Sequence, residues 1–550
     1  MSVDLRTTLN ACDSATGFLG DGPTPTVNTT TGQRYEGSGS IQSQHTNADE
    51  HMYTSSIGGT RDLSASTVYW LLKDNLVDTF ANGGIQGVLS DSTDRIGYDM
   101  AGNNAPGLDL VPFYRCYKLD VSVVVATPGT FNAYAGTEAN LDQTAITEVG
   151  IGTLHLAKAV GNVANIFLDR MSFHLNSGYA LRINGGTSGT PEATSDVQGD
   201  DITSGWGLVN QAIPGVFGFF GSMEWGEPAA NADSYFLASD ETWIFIGDNS
   251  GGKIVAAGNF KFRLISNATD TQSFVLNSVV LLNVGVRAPF DFSDANFDIV
   301  KLTSCTFNNW GVLTFPAFVA TDKFLDACIF NNCDQVFFND MDASNCIFNG
   351  SNDADGALLV SVDASTDSQP DMTFNSDGTG HGVEITTPGD YTFDGWLFNG
   401  YSTASPGSNP TPSTGSTDAM VYNNSGGAVT ISIVGGGTNV TVRNAASSTT
   451  TVVAAVTVAF TFVDNETGDP IEGISVILGT AGSPLGVNDI IDNLVSNASG
   501  VVSVSYSGAT PTTFTGFAAK GSELPVYKRS PLTGTIGTGG LSTTVSMVPD

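Results

Sequence analysis

Apolar and polar residues alternate with a period of two over many short stretches of this chain, and few stretches carry a helical period. Segments 67–72, 119–125 and 166–174 read as strands, the last as a half-buried one. Turn clusters such as Asn82-Gly-Gly84 and Ala101-Gly-Asn-Asn104 separate them. Together they predict an antiparallel sandwich over residues 1–176. Strand patterns return at 428–434 and 439–442, and over 452–550 at 456–463, 499–505 and 543–547, which predicts a second, smaller β-sandwich at the end of the chain. There Gly468-Asp-Pro-Ile-Glu-Gly473 reads as a tight turn between two paired strands.

The middle segment, 177–451, carries an internal repeat. Phe-Asn recurs at Phe307-Asn308, Phe330-Asn331, Phe348-Asn349, Phe374-Asn375 and Phe398-Asn399, at intervals of 23, 18, 26 and 24 residues. Two positions before each Phe stand Cys305, Cys328, Cys346, Met372 and Trp396. Residues i and i−2 of a strand share a face, so each unit offers two apolar side chains inward, followed by an Asn suited to a left-handed bend. A period of this length with one such triplet per unit predicts a right-handed parallel β-helix. Its Phe residues stack along the interior, its cysteines form a neighbouring column of small buried hydrophobes, and Leu282-Asn283 is an earlier rung. Phe131-Asn132 and Phe338-Asn339 fall outside the series, so chance recurrence is the competing reading, and the matched residue at i−2 argues against it. Residues 401–418, rich in Pro, Gly, Ser and Thr, read as a loop within this segment. The fold class is therefore all-β.

Composition sharpens this picture. Of 55 acids, 43 are Asp and 12 are Glu, against 20 Lys and Arg, for a formal charge of −35. Asp favours caps and turns where Glu favours helix interiors. Such a charge excludes a nucleic-acid binder that works through a basic face. Residues 324–442 hold 14 acids and no Lys or Arg, a block that repels nucleic acid and anionic membranes. The apolar stretch 452–463 is too short to span a membrane and reads as a strand, so no membrane insertion is expected. The first residues, Met1 to Arg6, lack the apolar core of a signal peptide. Six cysteines without zinc spacing fit a protein assembled in a reducing compartment.

Two stretches of sequence resemble known architectures. Asn10-Ala-Cys-Asp-Ser-Ala-Thr-Gly-Phe18, Tyr35-Glu-Gly-Ser-Gly-Ser-Ile41 and Asn165-Ile-Phe-Leu-Asp-Arg-Met171 resemble a concanavalin-A-like jelly roll. Residues 456–478, with their Gly-x-Pro-Ile-x-Gly core, are similar to a prealbumin/Ig-like sandwich. Jelly roll, β-helix and small sandwich in that order resemble the layout of tailed-bacteriophage virion proteins: tail fibres, tailspikes and head-decoration fibres. The resemblance implies a non-enzymatic structural part on the virion exterior, assembled in the host cytoplasm as a homotrimer, with other virion structural proteins as partners. Two alternatives stay open, a receptor-binding adhesin for a host surface glycan and a polysaccharide depolymerase.

Candidate chemistry is sparse. The histidines His45, His51, His155, His174 and His381 lie in no hydrolase or zinc-protease motif. His155 and His174 read as packed strand residues, while His45 and His51 flank Asn47-Ala-Asp-Glu50, a solvated loop before it is a metal site. A depolymerase would need two paired acids. The candidates are Asp326, Asp334, Asp340, Asp342, Asp353, Asp355 and Asp363, which sequence cannot pair. Asn352-Asp-Ala-Asp-Gly356, with Asp353 and Asp355, and Asp291-Phe-Ser-Asp294 offer calcium-type oxygens but match no EF-hand and read as Asx-rich turns. Gly251-Gly252 and Gly435-Gly-Gly437 lack the Lys-Ser/Thr of a phosphate loop. Tyr69 and Trp70 are candidates for stacking on sugar rings, against their ordinary reading as core. No catalytic residue, metal or cofactor is assigned.

Overall fold

The computed structural model describes residues 2–21, 24–29, 38–45, 50–74, 85–99, 101–102, 115–124, 131–153, 164–187, 190–197, 208–246, 261–316, 322–339, 341–361, 369–378, 380–402, 419–454, 456–482, 489–506, 511–521, 524–537 and 540–550. The turn at 82–84, residues 103–104, the Tyr35–Gly37 end of its motif, residues 47–49, His155, Gly251-Gly252, Asp340, Asp363 and most of the 401–418 loop lie outside these. The described chain is nearly all β, with helices of no more than four residues. It divides into two compact units, Met1–Met341 and Asp342–Asp550.

The first unit opens with two antiparallel sheets. One runs in the order Ala101–Gly102, Arg115–Asp120, Ser66–Asp74, Ala164–Leu175, Ser40–His45, Thr26–Asn28, with Thr7–Asn10 also paired to Ala164–Leu175. The other runs Phe131–Ala135, Arg95–Asp99, Ile85–Ser90, Glu148–Thr153, His51–Thr54, Phe18–Gly20. Strand alternation gives the first sheet two faces. Val68, Trp70 and Met171 share an apolar one, whereas Tyr69 pairs with Lys118 and Ser172, and Thr67 with Asp120 and His174, on the other. The alternation in 166–174 predicts a half-buried strand, yet this polar face is buried too, because Asp4, Arg6 and Phe220 pack over it.

Beyond residue 180 the pairing becomes parallel. The chain visits three sheets in turn and returns to each one rung later. In the first unit one sheet stacks Leu181–Ile183, Met223–Trp225, Phe262–Leu264, Phe290–Asp291, Leu313–Thr314 and Val336–Phe337. A second stacks Val216–Phe219, Thr242–Ile246, Val280–Val284, Thr306–Asn308 and Ile329–Cys333, and a third Ser234–Ser239, Gln272–Asn277, Ile299–Thr303 and Lys323–Asp326. The second unit repeats the scheme: Ile347–Ser351, Thr373–Asn375 and Leu397–Asn399 stack, as do Leu358–Val360, Val383–Ile385, Val421–Asn423 and Val442–Asn444, and Gly389–Asp394, Ala428–Val434 and Thr449–Ala454.

Each rung turns on a left-handed residue that sits three positions before the Phe. Ser304, Ala327, Asn345, Asp371 and Gly395 all have φ between 53° and 69°. The Asn after the Phe keeps strand geometry, and the next residue takes the second bend, as at Asn309, Asn332, Gly350 and Gly400. The expectation that the first Asn supplies the bend is thus corrected. Its side chain is used in stacking instead. The earlier rung is also corrected by one residue, since Leu281, rather than Leu282, lies opposite Phe307.

The second unit ends in two further sheets, Val501–Tyr506, Val456–Asp464, Leu541–Met547 and Asp489–Val495, Ser475–Thr480, Thr512–Lys520, Tyr527–Ile536. Phe460, Phe462, Ile474, Val476, Leu478, Phe514 and Ile536 fill their shared core. The turn at 468–473 connects strands of different sheets, so it does not join paired strands. Asp464 holds it by accepting the backbone N–H groups of Glu466 and Thr467.

Phe374 lies between Phe348 and Phe398, each ring centroid 4.8 Å away. Phe374→Ala is expected to lower the free energy of unfolding by about 3–5 kcal/mol in a denaturant titration, and an unchanged midpoint would refute a stacked core. Ala327→Gly removes a Cβ from a left-handed position (φ 53°) and is expected to raise stability by up to about 1 kcal/mol in the same assay.

Candidate functional site

The repeat residues form columns. Phe307 pairs with Phe330, their rings 5.1 Å apart, and in the second unit Phe348, Phe374 and Phe398 pair in register, all buried. Cys305, Cys328 and Cys346 are buried free thiols whose sulfurs donate to main-chain carbonyls, Cys305 to Leu276 and Cys328 to Leu302. A hydrogen bond with Cys328, together with burial, holds the Cys305 thiol far above its usual range, so it does not form a thiolate. Met372 and Trp396 are fully buried, and the Trp396 indole donates to Gln369 O. On the outer face the Asn side chains bond one another: Asn331 donates to Asn308 at 2.7 Å, Asn375 to Asn349 at 2.7 Å and Asn399 to Asn375 at 2.9 Å. These columns consist of buried apolar side chains, buried thiols and paired amides.

The other sequence candidates scatter. Asp291 and Asp294 cap local turns by accepting the Ser293 and Asn296 N–H groups, and Asp294 also accepts the N–H of Ser266 from earlier in the chain. Asp353 accepts the Asp355 N–H, again a turn. Burial, then the neighbouring Glu384 and Asp353, raises the Asp355 carboxyl above its ordinary value. Glu384 is buried and accepts from Asn424. Among the described residues no three His, Cys, Asp or Glu side chains are placed to hold a metal ion. Tyr69 and Trp70 are 1% and 0% exposed. Neither presents a face to a sugar, which overturns the stacking role considered for them; alternating burial on two faces explains why.

Two half-buried tyrosines, Tyr53 and Tyr134, lie on one face of the six-stranded sheet. The registers Tyr53↔Gly150↔Val88↔Gly97, His51↔Gly152↔Gln86 and Glu148↔Ser90↔Arg95 put these residues on a common face. Tyr134 reaches across it from the edge strand. A Cβ at Gly97 or Gly152 would collide with its ring, so the glycines form the shelf on which the ring lies. His51 stacks on Tyr134 with centroids 4.2 Å apart, and the Arg95 guanidinium sits 3.5 Å from the centre of the Tyr53 ring. Arg95 pairs with Glu148 at 2.6 Å, and Tyr134 Oη donates to Gln86. Asp21 clamps His51 twice, accepting its backbone N–H at 2.7 Å and meeting Nδ1 at 2.9 Å. Burial is the largest influence on His51 and lowers its pKa, with Arg95 acting in the same direction against Asp21. The ring is therefore neutral near pH 7, with Nδ1–H given to Asp21 and Nε2 left as an acceptor. Both His51 Nε2 and Arg95 Nε are buried, and neither has a hydrogen-bond partner among the described residues. Sequence reasoning missed this group because Tyr53 and Tyr134 meet only through the sheet order.

A second polar group lies under the first sheet. Asp4 pairs with both Arg6 (2.8 Å) and Arg170 (2.9 Å), and Arg6 lies against the Tyr69 ring. His174 is buried beside it, with neither ring nitrogen bonded among the described residues. Burial, then the charges of Arg6, Lys118 and Lys261, lowers its pKa to about 3. Unfolded, the side chain binds its proton near 6.5. Its contribution to stability is complete above that pH and is lost as the pH falls toward 3. About 5 kcal/mol is at stake. His174→Phe is expected to flatten the fall in urea midpoint between pH 7 and 4; equal slopes in the two proteins would contradict the assignment.

Set against known proteins, the chain matches no family model and no curated protein sequence.

Proposed function

We propose that this chain is a non-enzymatic structural component of the exterior of a phage-like virion, of the tail-fibre, tailspike or head-decoration kind. In this reading residues 177–451 are a right-handed parallel β-helix, 1–176 a jelly roll and 452–550 a prealbumin/Ig-like sandwich, and the protein assembles as a homotrimer with other virion proteins. One observation carries the reading: within each unit, parallel strands from three sheets stack in register, with Phe on Phe and Asn on Asn. Like-on-like stacking suits a rigid repeating scaffold. The resemblance of the three-part layout supplies the virion setting. The acid-rich, base-free block at 324–442 suits a surface that must stay free of nucleic acid and of anionic membranes.

A second reading, polysaccharide depolymerase, is favoured by one arrangement. Burial and the neighbouring Glu384 raise the Asp355 carboxyl above its ordinary value, and a raised carboxyl beside a second one suits a general acid and its partner.

Two measurements test these readings. Gold-labelled antibody to the chain is expected to decorate the outside of purified particles in electron micrographs, and absence of the chain from particles would end the virion proposal. Incubation with host polysaccharide is expected to release no new reducing ends. Release that disappears in Glu384→Gln would establish the depolymerase instead.

A further inference from the structure

We propose that Asn399 is a site of spontaneous covalent modification, at which the Gly400 backbone nitrogen displaces the side-chain amide and leaves aspartate or isoaspartate at the end of the asparagine column. The proposal goes beyond the scaffold reading and stands without it.

Asparagine is a thermolabile residue, because its side chain and the next backbone nitrogen can close a ring. The Gly400 nitrogen gives its proton to solvent base and bonds to Asn399 Cγ. The Cγ–Nδ2 bond breaks, and that nitrogen takes up a proton and leaves as ammonia. Water then opens the succinimide at either of its two carbonyls. The net change converts an amide and a water into a carboxylic acid and ammonia, with nothing oxidised or reduced. Glycine in the second position helps, since it has no side chain to obstruct the ring or restrict the backbone.

The structure distinguishes Asn399 from its counterparts by what holds the attacking nitrogen. The residue after a column asparagine donates its N–H to the asparagine carbonyl one rung later: Asn309 to Asn331 O and Ser376 to Asn399 O, both at 2.9 Å. The register Asn349↔Asn375 puts the Asn375 carbonyl in the same place for Gly350. Leu397–Asn399 is the last strand of its sheet, so Gly400 has no later rung to meet. Phe398, whose N–H faces the same open side, is met by the Thr438 hydroxyl at 3.1 Å. The Gly400 N–H has no partner among the described residues. Gly350 and Gly400 are otherwise matched, each following Phe-Asn and each left-handed, with φ of 69° and 82°. The remaining described Asn-Gly pair is restrained as well, because Gly185 N donates to Ser234 Oγ at 2.9 Å. Asn399 and Gly400 are both exposed, so base and water reach them. In-register stacking thus ties down the attacking nitrogen along the column and leaves it free at the end. Modification also removes a bond. Asn399 Nδ2 donates to Asn375 Oδ1 at 2.9 Å, and a carboxylate at 399 has no N–H to offer that oxygen.

The test is to age the full, folded chain in mildly alkaline heavy-oxygen water and to map its peptides by mass spectrometry. Isoaspartate is read separately by enzymatic methyl transfer. Asn399 is expected to convert about tenfold faster than Asn349 or Asn184, the factor that one net main-chain hydrogen bond is worth. In urea the three glycine nitrogens are equally free, and comparable rates are expected at the three sites. Asn399→Gln keeps an amide but closes its ring far more slowly, and is expected to abolish the fast release of ammonia. The proposal is overturned if Asn399 stays intact in the folded chain while urea converts it, or if Asn349 or Asn184 keeps pace with it when folded. It is equally overturned if the same ranking persists in urea, or if Asn399→Gln releases ammonia as fast as the parent. None of these outcomes bears on whether the chain is a virion component, which the particle images decide.

Discussion

Parallel pairing in register is the constraint on which the rest depends. When a chain returns to the same sheet beside its previous strand, each residue is placed on the residue one period earlier. A repeat in sequence then becomes a column in space. The column works only if its members tolerate their own kind, as stacked phenyl rings, buried thiols and paired amides do. A charge would not, because burying it above its own kind adds repulsion to desolvation. This is why Phe307 and Phe330 coincide, and why Asn331 can bond Asn308.

The constraint also shows what could be read without coordinates. The alternation at 67–72 and the spacing of Phe-Asn disclose strands and parallel repetition, since both depend on side-chain type. The turn residues do not. Ser304, Ala327, Asn345, Asp371 and Gly395 share a backbone conformation and no chemistry, and nothing in an alanine announces a positive φ. The register of the Leu282-Asn283 rung slips by one for a related reason: Leu281 and Leu282 are the same residue type, so composition cannot say which points inward.

The two polar groups of the first unit escape for a different reason. In Ala164–Leu175 the alternation correctly separates two faces, but it cannot say what covers the polar one. Asp4 and Arg6 do so from the start of the chain, so Arg170 and His174 are buried where a solvated edge is the natural inference. On the six-stranded sheet Tyr53 and Tyr134 are far apart in sequence, on strands that share a face of one sheet with three others between them. Gly97 and Gly152 look like ordinary strand interruptions until the ring that lies over them is located. Long-range placement, rather than local propensity, creates the candidate site.

The asparagine column has a direction. In each of its bonds the later residue donates to the earlier one: 331 to 308, 375 to 349, 399 to 375. The amide dipoles therefore add head to tail, and each bond polarises the next. A ribosome releases the chain in the same sense. Every new rung thus emerges to find the carbonyl it needs already presented by the rung before it.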